Sequence, residues 1–279
     1  MIWALLLAAA SPAPAMPQLS QDRPALDYAR LMDEAIDGGR IIQADAMLSQ
    51  WRASAQPQEG RNIEIATTRL LLEKRRDEEA LARFTALGQS GPADCRVDEG
   101  QGVALVRLGR FGQAVEPLRR AVAACATRWR AWNALAVAYD HAQSWALSLA
   151  AYERAFQLTD RPAQLLNNFG LSLLKQQQPE RAAAIFEQAR TLAPDDDRII
   201  ANGDTADIMS GRAIGRRPGD SADRWAARLS HAGQVALAKG DPIAARAYLS
   251  RAVTEADIFI PEAAATLAAM ESAIERDKP

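Results

Sequence analysis

Two consecutive stretches in the middle of the chain share one residue pattern at an offset of 34 residues. The first, residues 129–161, reads WRAWNALAVAYDHAQSWALSLAAYERAFQLTDR, and the second, residues 163–195, reads AQLLNNFGLSLLKQQQPERAAAIFEQARTLAPD. The aligned pairs are Trp132 with Leu166, Leu135 with Phe169, Ala136 with Gly170, Tyr139 with Leu173, Ser148 with Ala182, Tyr152 with Phe186, and Ala155 with Ala189. A fixed period of roughly 20–50 residues is typical of proteins in which similar units stack side by side.

Further units continue the same register on both sides. The full set covers residues 25–58, 61–94, 95–128, 129–162 and 163–196, a partial unit at 197–211, and a last pair of helices at 222–259. Residues 212–221 contain two glycines and a proline, which predict an interrupting loop instead of a second helix. Residues 260–276 predict a terminal helix that caps the stack.

Each unit combines small and large residues at fixed positions. Small residues such as Gly170 in the first half and Ala182 in the second let two antiparallel helices approach closely. Large residues such as Tyr152 and Phe186 fill the space between those helices. The pattern therefore predicts a series of helix hairpins that pack on one another.

This pattern resembles the tetratricopeptide repeat (TPR) family, whose unit of 34 residues is a helix–turn–helix. The resemblance covers residues 25–211 and the pair at 222–259. It implies an all-α fold, namely a TPR-type α-solenoid of antiparallel helix pairs with a C-terminal capping helix. A generic helical bundle is the alternative, but a bundle has no reason to repeat at a fixed interval.

Composition and motifs argue against several functional classes. Lys and Arg total 33 against 35 Asp and Glu, a net charge of −2, so the basic excess of nucleic-acid binders is missing. The only histidines, His141 and His231, lie far apart in sequence, and no Cys or His spacing typical of metal sites occurs. The acidic run 195–197 is interpreted as the start of a helix. We therefore expect no enzymatic activity, no cofactor and no metal.

The resemblance implies a concave groove lined by the first helix of each repeat. The side chains at the groove-facing positions are Val103, Arg107, Asn133, Val137, His141, Asn167, Asn168, Leu171, Lys175 and Asn202. An asparagine amide both donates and accepts hydrogen bonds, so a ladder of asparagines can bind the backbone of a partner protein or an extended peptide. The alternative is that these asparagines cap or solvate their helices.

The two cysteines, Cys95 and Cys125, lie at the two ends of one predicted hairpin. The start of its first helix and the end of its second lie side by side, so a disulfide is geometrically reasonable. Two buried free thiols are the alternative.

The N-terminus predicts export. Residues 2–10 form a short apolar run, and Ala13 and Ala15 have the spacing of a signal-peptidase site, although no Lys or Arg precedes the run. Residues 1–15 are therefore interpreted as a signal peptide and residues 16–24 as a linker, with an uncleaved anchor as the alternative. We expect a periplasmic chain with no membrane span after cleavage.

A narrower resemblance concerns residues 165–212. This segment is similar to the TadD-like proteins of the Flp/tight-adherence pilus assembly system, with matches at Asn167, Asn168, Gly170, Leu171, Ser172, Arg198, Asn202 and Gly211. The resemblance implies an assembly helper whose partners include a secretin or pilus-assembly components. The chain departs from that family at Gly203 and lacks its lipidated cysteine.

Two functions follow from these observations. The first is a non-enzymatic scaffold that binds a partner protein or peptide in its groove during envelope assembly, such as pilus biogenesis. The second is an accessory binding subunit of an envelope polysaccharide or peptidoglycan enzyme.

Overall fold

A computed structural model describes residues 26–160 and 162–276, and within these ranges the fold contains helices and no strands. The signal peptide and the linker predicted from sequence lie outside the described residues. The helices are α1 Tyr28–Asp37, α2 Ile41–Ser54, α3 Gly60–Glu73, α4 Asp77–Gln89, α5 Cys95–Arg107, α6 Phe111–Ala124, α7 Trp129–His141, α8 Trp145–Phe156, α9 Ala163–Lys175, α10 Pro179–Leu192, α11 Asp197–Met209, α12 Ala222–Lys239, α13 Pro242–Glu255 and α14 Pro261–Arg276. A short 3₁₀ turn, Pro57–Glu59, precedes α3.

The helices form consecutive hairpins: α1–α2, α3–α4, α5–α6, α7–α8, α9–α10 and α12–α13. Each hairpin turn contains one residue with a left-handed backbone, with φ between 53° and 86°. These residues are Gly39, Arg75, Gly109, Gln143, Gln177 and Gly240, and Gly211 after α11 has the same conformation. The same turn therefore recurs in every hairpin, even where this residue is not glycine. The left-handed conformation costs roughly 1–2 kcal/mol for a residue that has a Cβ.

Large side chains of the second helices pack onto glycines of the first helices. The ring of Phe186 lies where a Cβ on Gly170 would be, at 2.6 Å, and Leu249 lies in the same way against Gly233. Phe186 is completely buried. A glycine is required at these positions because any side chain would collide with the residue that fills the hairpin.

The repeat is interrupted after α11. Gly211 after α11 has the left-handed conformation of the hairpin turns, but no second helix follows it. Residues 212–221 form a loop that leads directly to α12. Asp220 fixes the end of this loop, because its carboxylate accepts the Arg217 amide at 2.8 Å and pairs with Arg228 of α12. Ile214 of this loop is also buried, so the loop packs against the solenoid.

Candidate functional site

A cleft of about 240 Å³ runs along the concave face of the solenoid. It lies across the first helices of successive repeats, from Ile36 on α1 to Arg198 on α11. Val103 and Val137 contribute apolar surface to it, because both are only partly buried against the core. The cleft is the candidate site, since a groove between consecutive first helices can accept an extended segment.

The asparagines predicted for the groove form a chain of hydrogen bonds between repeats. Asn168 Nδ2 donates to Asn133 Oδ1 at 3.1 Å, and Asn202 Nδ2 donates to Asn167 Oδ1 at 2.8 Å. Asn133 and Asn168 line the cleft. Asn167 is only 2% exposed and lies outside the lining of the cleft. Its amide joins α9 to α11 and is shielded from any ligand.

Arginines and carboxylates form the polar walls of the cleft. Arg107 Nη2 lies 3.6 Å from Glu73, and Arg130 Nη1 lies 3.1 Å from the same carboxylate. Arg130 also reaches Asp37 at the end of α1. Burial raises the pKa of the Asp37 carboxyl above its usual range, although Arg69 and Arg130 act in the opposite direction. The walls are thus charged but internally paired.

Four other predicted groove residues lie outside the lining of the cleft. Leu171 packs on the apolar cluster around Phe186. Lys175 Nζ lies 3.0 Å from His141 Nε2, and the imidazole stacks on Phe111 with ring centroids 3.3 Å apart. Burial, and then the Lys175 ammonium, lower the pKa of His141 below its ordinary 6.5. The structure therefore brings together Arg107, Asn133, Val137 and Asn168 but places His141, Lys175, Leu171 and Asn202 elsewhere.

A buried carboxylate that the sequence analysis missed links the fourth and fifth hairpins. Asp140 is 4% exposed and accepts hydrogen bonds from Ser148, from Tyr152 at 2.9 Å and from Ser172 at 2.7 Å. Burial, and then the charge of Asp140, raise the pKa of the Tyr152 hydroxyl well above its usual range. The sequence signal for this network was the presence of two serines, Ser148 and Ser172, among the small residues of the fourth and fifth hairpins. This network holds the hairpins together beneath the cleft.

A second buried network lies at the interrupted repeat. Asp204, 1% exposed, accepts from Arg190 Nη2 at 2.8 Å and from Arg228 Nε at 2.8 Å. Arg228 also pairs with Asp220. The guanidinium of Arg190 occupies the space that a side chain on Gly203 would need. Sequence analysis identified Gly203 as a departure from the TadD-like pattern, and its role here is to admit this arginine.

Cys95 and Cys125 form a disulfide with their Cα atoms 6.0 Å apart. Cys95 is the first residue of α5 and Cys125 follows the last residue of α6, so the bond closes one hairpin.

The acidic run has the structural role predicted for it, because Asp196 caps α11 by accepting from the amides of Arg198 and Ile199.

A second, more apolar cleft of about 530 Å³ lies on the other side of the fifth hairpin. Its lining includes Phe156, Phe169, Ile185 and Leu192.

In the described part of the chain, no group of His, Cys, Asp or Glu side chains is arranged to hold a metal ion. Among the same residues, no helix is long and apolar enough to cross a membrane.

Comparison with known proteins identifies the fold. A family model described as "Tetratricopeptide repeat" matches residues 163–196, which contain α9 and α10. The fold is a TPR solenoid. No curated protein sequence matches the chain.

Solved structures are also similar to the chain. The chain is 16% identical to a chain of the Cut9–Hcn1 hetero-tetramer of the APC/C, with a TM-score of 0.59 over 89% of this chain and 50% of that one. It is 11% identical to a TPR protein from Parabacteroides merdae, with a TM-score of 0.49 over 88% of this chain and 97% of that one. At these identities the likeness concerns the fold alone.

Proposed function

We propose that the chain is a non-enzymatic scaffold that holds an extended segment of a partner protein in the concave cleft. One observation carries the proposal: the amides of Asn133 and Asn168 lie in the cleft beside the apolar side chains of Val103 and Val137. Amides can bind the main chain of an extended segment, and apolar side chains can contact alternate residues of it.

The architecture supports a preformed cleft. Asn168 and Asn133 hold each other in place at 3.1 Å, and the asparagines of α9 and α11 are fixed by the second bond of the ladder. Beneath them, Asp140 ties α7 to α8 and α9 through three hydroxyl groups. A cleft whose side chains are already ordered loses less conformational entropy when it binds a partner.

We further propose that the scaffold acts outside the cytoplasm, in envelope assembly such as Flp/tight-adherence pilus biogenesis. The Cys95–Cys125 disulfide supports export, because structural disulfides persist in oxidising compartments. The pilus proposal depends on the sequence resemblance of residues 165–212. Several of its matching residues serve packing here: Asn167 and Ser172 are buried, and Gly170 receives Phe186.

A crosslinking pull-down from the native envelope tests this function. The bait is the tagged full chain, compared with Val137→Glu and with the matched control Val253→Glu on the exposed surface of α13. We expect Val137→Glu to abolish recovery of the partner, because it buries a charge against the bound segment, and Val253→Glu to leave recovery unchanged.

The identity of the recovered protein separates the finer alternatives. A secretin or a pilus-assembly component supports the pilus proposal, whereas a synthase or hydrolase of the envelope makes the chain an accessory subunit. Equal recovery with Val137→Glu and the unaltered bait contradicts binding in the cleft.

A further inference from the structure

The side chains of two arginines connect α7 to α1 across the concave face. Arg128 Nη1 lies 3.3 Å from Asp33 Oδ2, Arg130 Nη2 donates to the Ile36 carbonyl at 2.8 Å, and Arg130 Nε lies 3.0 Å from Asp37 Oδ1. Arg130 and Ile36 are 94 residues apart in sequence and belong to the fourth and first hairpins. No Cα atom of α1 lies within 8 Å of a Cα atom of α7, so the arginine side chains span the gap between the two helices.

The charges on both helices are unfavourable locally. Asp33 and Asp37 lie near the C-terminal end of α1, which has no basic residue in its last turn. Arg128 and Arg130 lie at the N-terminal end of α7, which has no acidic residue in its first turn. A helix dipole disfavours anions at its C-terminus and cations at its N-terminus. Pairing of the two helix ends offsets part of both unfavourable arrangements.

Each charged group of this bridge has a second partner on α3 or α5. Arg69 of α3 pairs with Asp33 and lies 3.3 Å from Asp37. Glu99 of α5 pairs with Arg128, and Glu73 of α3 lies 3.1 Å from Arg130.

A separation of α1 from α7 that keeps the contacts with α3 and α5 therefore leaves no charge of this group without a counter-ion. That matters because an unpaired buried charge would prevent the bridge from opening.

The bridging groups are also accessible to solvent. The side chains of Asp33 and Asp37 are 31% and 36% exposed, and those of Arg128 and Arg130 are 16% and 23% exposed. Burial alone would lower the pKa of Arg128, but Glu99 and Asp33 raise it, so the guanidinium stays charged. Partly exposed ion pairs are weak and are screened by salt.

We propose that Asp33, Asp37, Arg128 and Arg130 form an electrostatic latch that holds the first hairpin against the fourth and narrows access to the cleft. Ile36 and Arg130 line the cleft themselves, so the latch lies at its N-terminal end. Opening it widens the entrance to Val137 and the asparagines. The regulatory consequence, admission of a partner segment when the latch opens, rests on the proposed function.

The test measures access to the cleft without any partner. A thiol introduced by Val137→Cys in the full chain, with its native disulfide intact, is labelled with N-ethylmaleimide or with a bulky polyethylene glycol maleimide. In about 1 M sodium chloride, where the Debye length is about 3 Å, we expect the bulky reagent to react about tenfold faster than at low salt. The small reagent should change little, because it enters the narrow cleft.

Two variants extend the test. Arg130→Gln removes the charge that pairs with Asp37, while Glu73 keeps Arg107 as a partner, so we expect fast labelling by the bulky reagent even at low salt. Arg246→Gln, which breaks the exposed pair with Glu271, is the matched control and should behave like the parent chain. If Arg130→Gln does not fold, the salt titration of the parent still decides.

Rates with the bulky reagent that do not change with salt or with Arg130→Gln overturn the latch. Because no partner is present, this result is independent of the pull-down. A failed pull-down with a positive labelling result refutes the proposed function and leaves the latch intact.

Discussion

The α9–α10 hairpin and the junction between α11 and α12 solve the same packing problem in different ways. In the hairpin, an apolar ring, Phe186, fills the space beside Gly170. At the junction, the guanidinium of Arg190 fills the space beside Gly203, and Asp204 and Arg228 complete its surroundings. The regular repeat therefore fills the space beside its glycine with an apolar ring, whereas the interrupted repeat fills it with a charged group that is paired with a carboxylate.

The interrupted repeat also lacks a second helix of its own. Where a full second helix is present, it supplies a large apolar residue for the gap, as Phe186 does. After α11 the loop 212–221 has no such helix, and the carboxylate of Asp220 reaches Arg228 in its place. An ionic network fixes one geometry but fails severely when a member is lost, while apolar packing degrades gradually.

The largest expected effect is that of Asp204→Ala. It leaves Arg190 and Arg228 buried without the carboxylate they share, so we expect a loss of about 3–5 kcal/mol in the free energy of unfolding. Urea denaturation measures this loss. Asp195→Ala, at an exposed position, is the matched control and should stay within about 0.5 kcal/mol of the parent. Similar midpoints for the two variants would contradict an ionic core at the junction.

Alanine in place of each glycine compares the two kinds of packing directly. Gly203→Ala displaces Arg190 from Asp204, so we expect a loss of about 2–3 kcal/mol. Gly170→Ala displaces an apolar ring and should cost about 1–2 kcal/mol. Gly112→Ala, in α6 with open space around it, should gain up to about 1 kcal/mol from helix propensity. Thermal unfolding gives the order, and a greater loss at Gly170 than at Gly203 would reverse the comparison.

The left-handed turn provides a smaller effect within the regular repeats. Gln177 has φ 57°, so Gln177→Gly should relieve strain and raise the free energy of unfolding by about 0.5–1 kcal/mol. Gln176→Gly is the control, because Gln176 has φ −83° and no strain to relieve. Equal changes in the denaturation midpoint of the two variants would show that the turn is not strained.

The smallest effect concerns His141. Burial and Lys175 lower its pKa below 6.5, so its contribution to stability is present above pH 6.5 and is lost as pH falls through the lowered value. Proton NMR titration in a His231→Gln background should show the low pKa directly. Lys175→Ala should move it back towards 6.5. An unchanged titration curve would contradict the contact between the two side chains.

The repeating part of the fold could be predicted from sequence because its signal is periodic. Tyr152 and Phe186 occupy matching positions, and both are completely buried. The ionic networks could not be predicted in the same way, because Arg190 pairs with Asp204 from another repeat and Arg130 meets Asp37 across the solenoid. Nothing in the local pattern distinguishes these arginines from solvated ones.

The candidate site was predictable only in part for the same reason. The periodic positions identified Asn133, Val137 and Asn168, which do line the cleft. They also identified Asn167, which is buried because the ladder turns inward between α9 and α11. Sequence periodicity assigns a residue to a helix face, but the superhelical twist decides which part of that face remains open.

Site-specific photo-crosslinking tests the central claim most directly. A benzoylphenylalanine introduced at Val137 places the reactive group in the cleft, and the same residue at Leu192 or Val253 places it beside the second cleft or on α13. In the native envelope, we expect a covalent adduct with the partner protein at Val137 and none at Val253. Adducts at Leu192 without any at Val137 would contradict it, because the partner would then bind the opposite side of the solenoid.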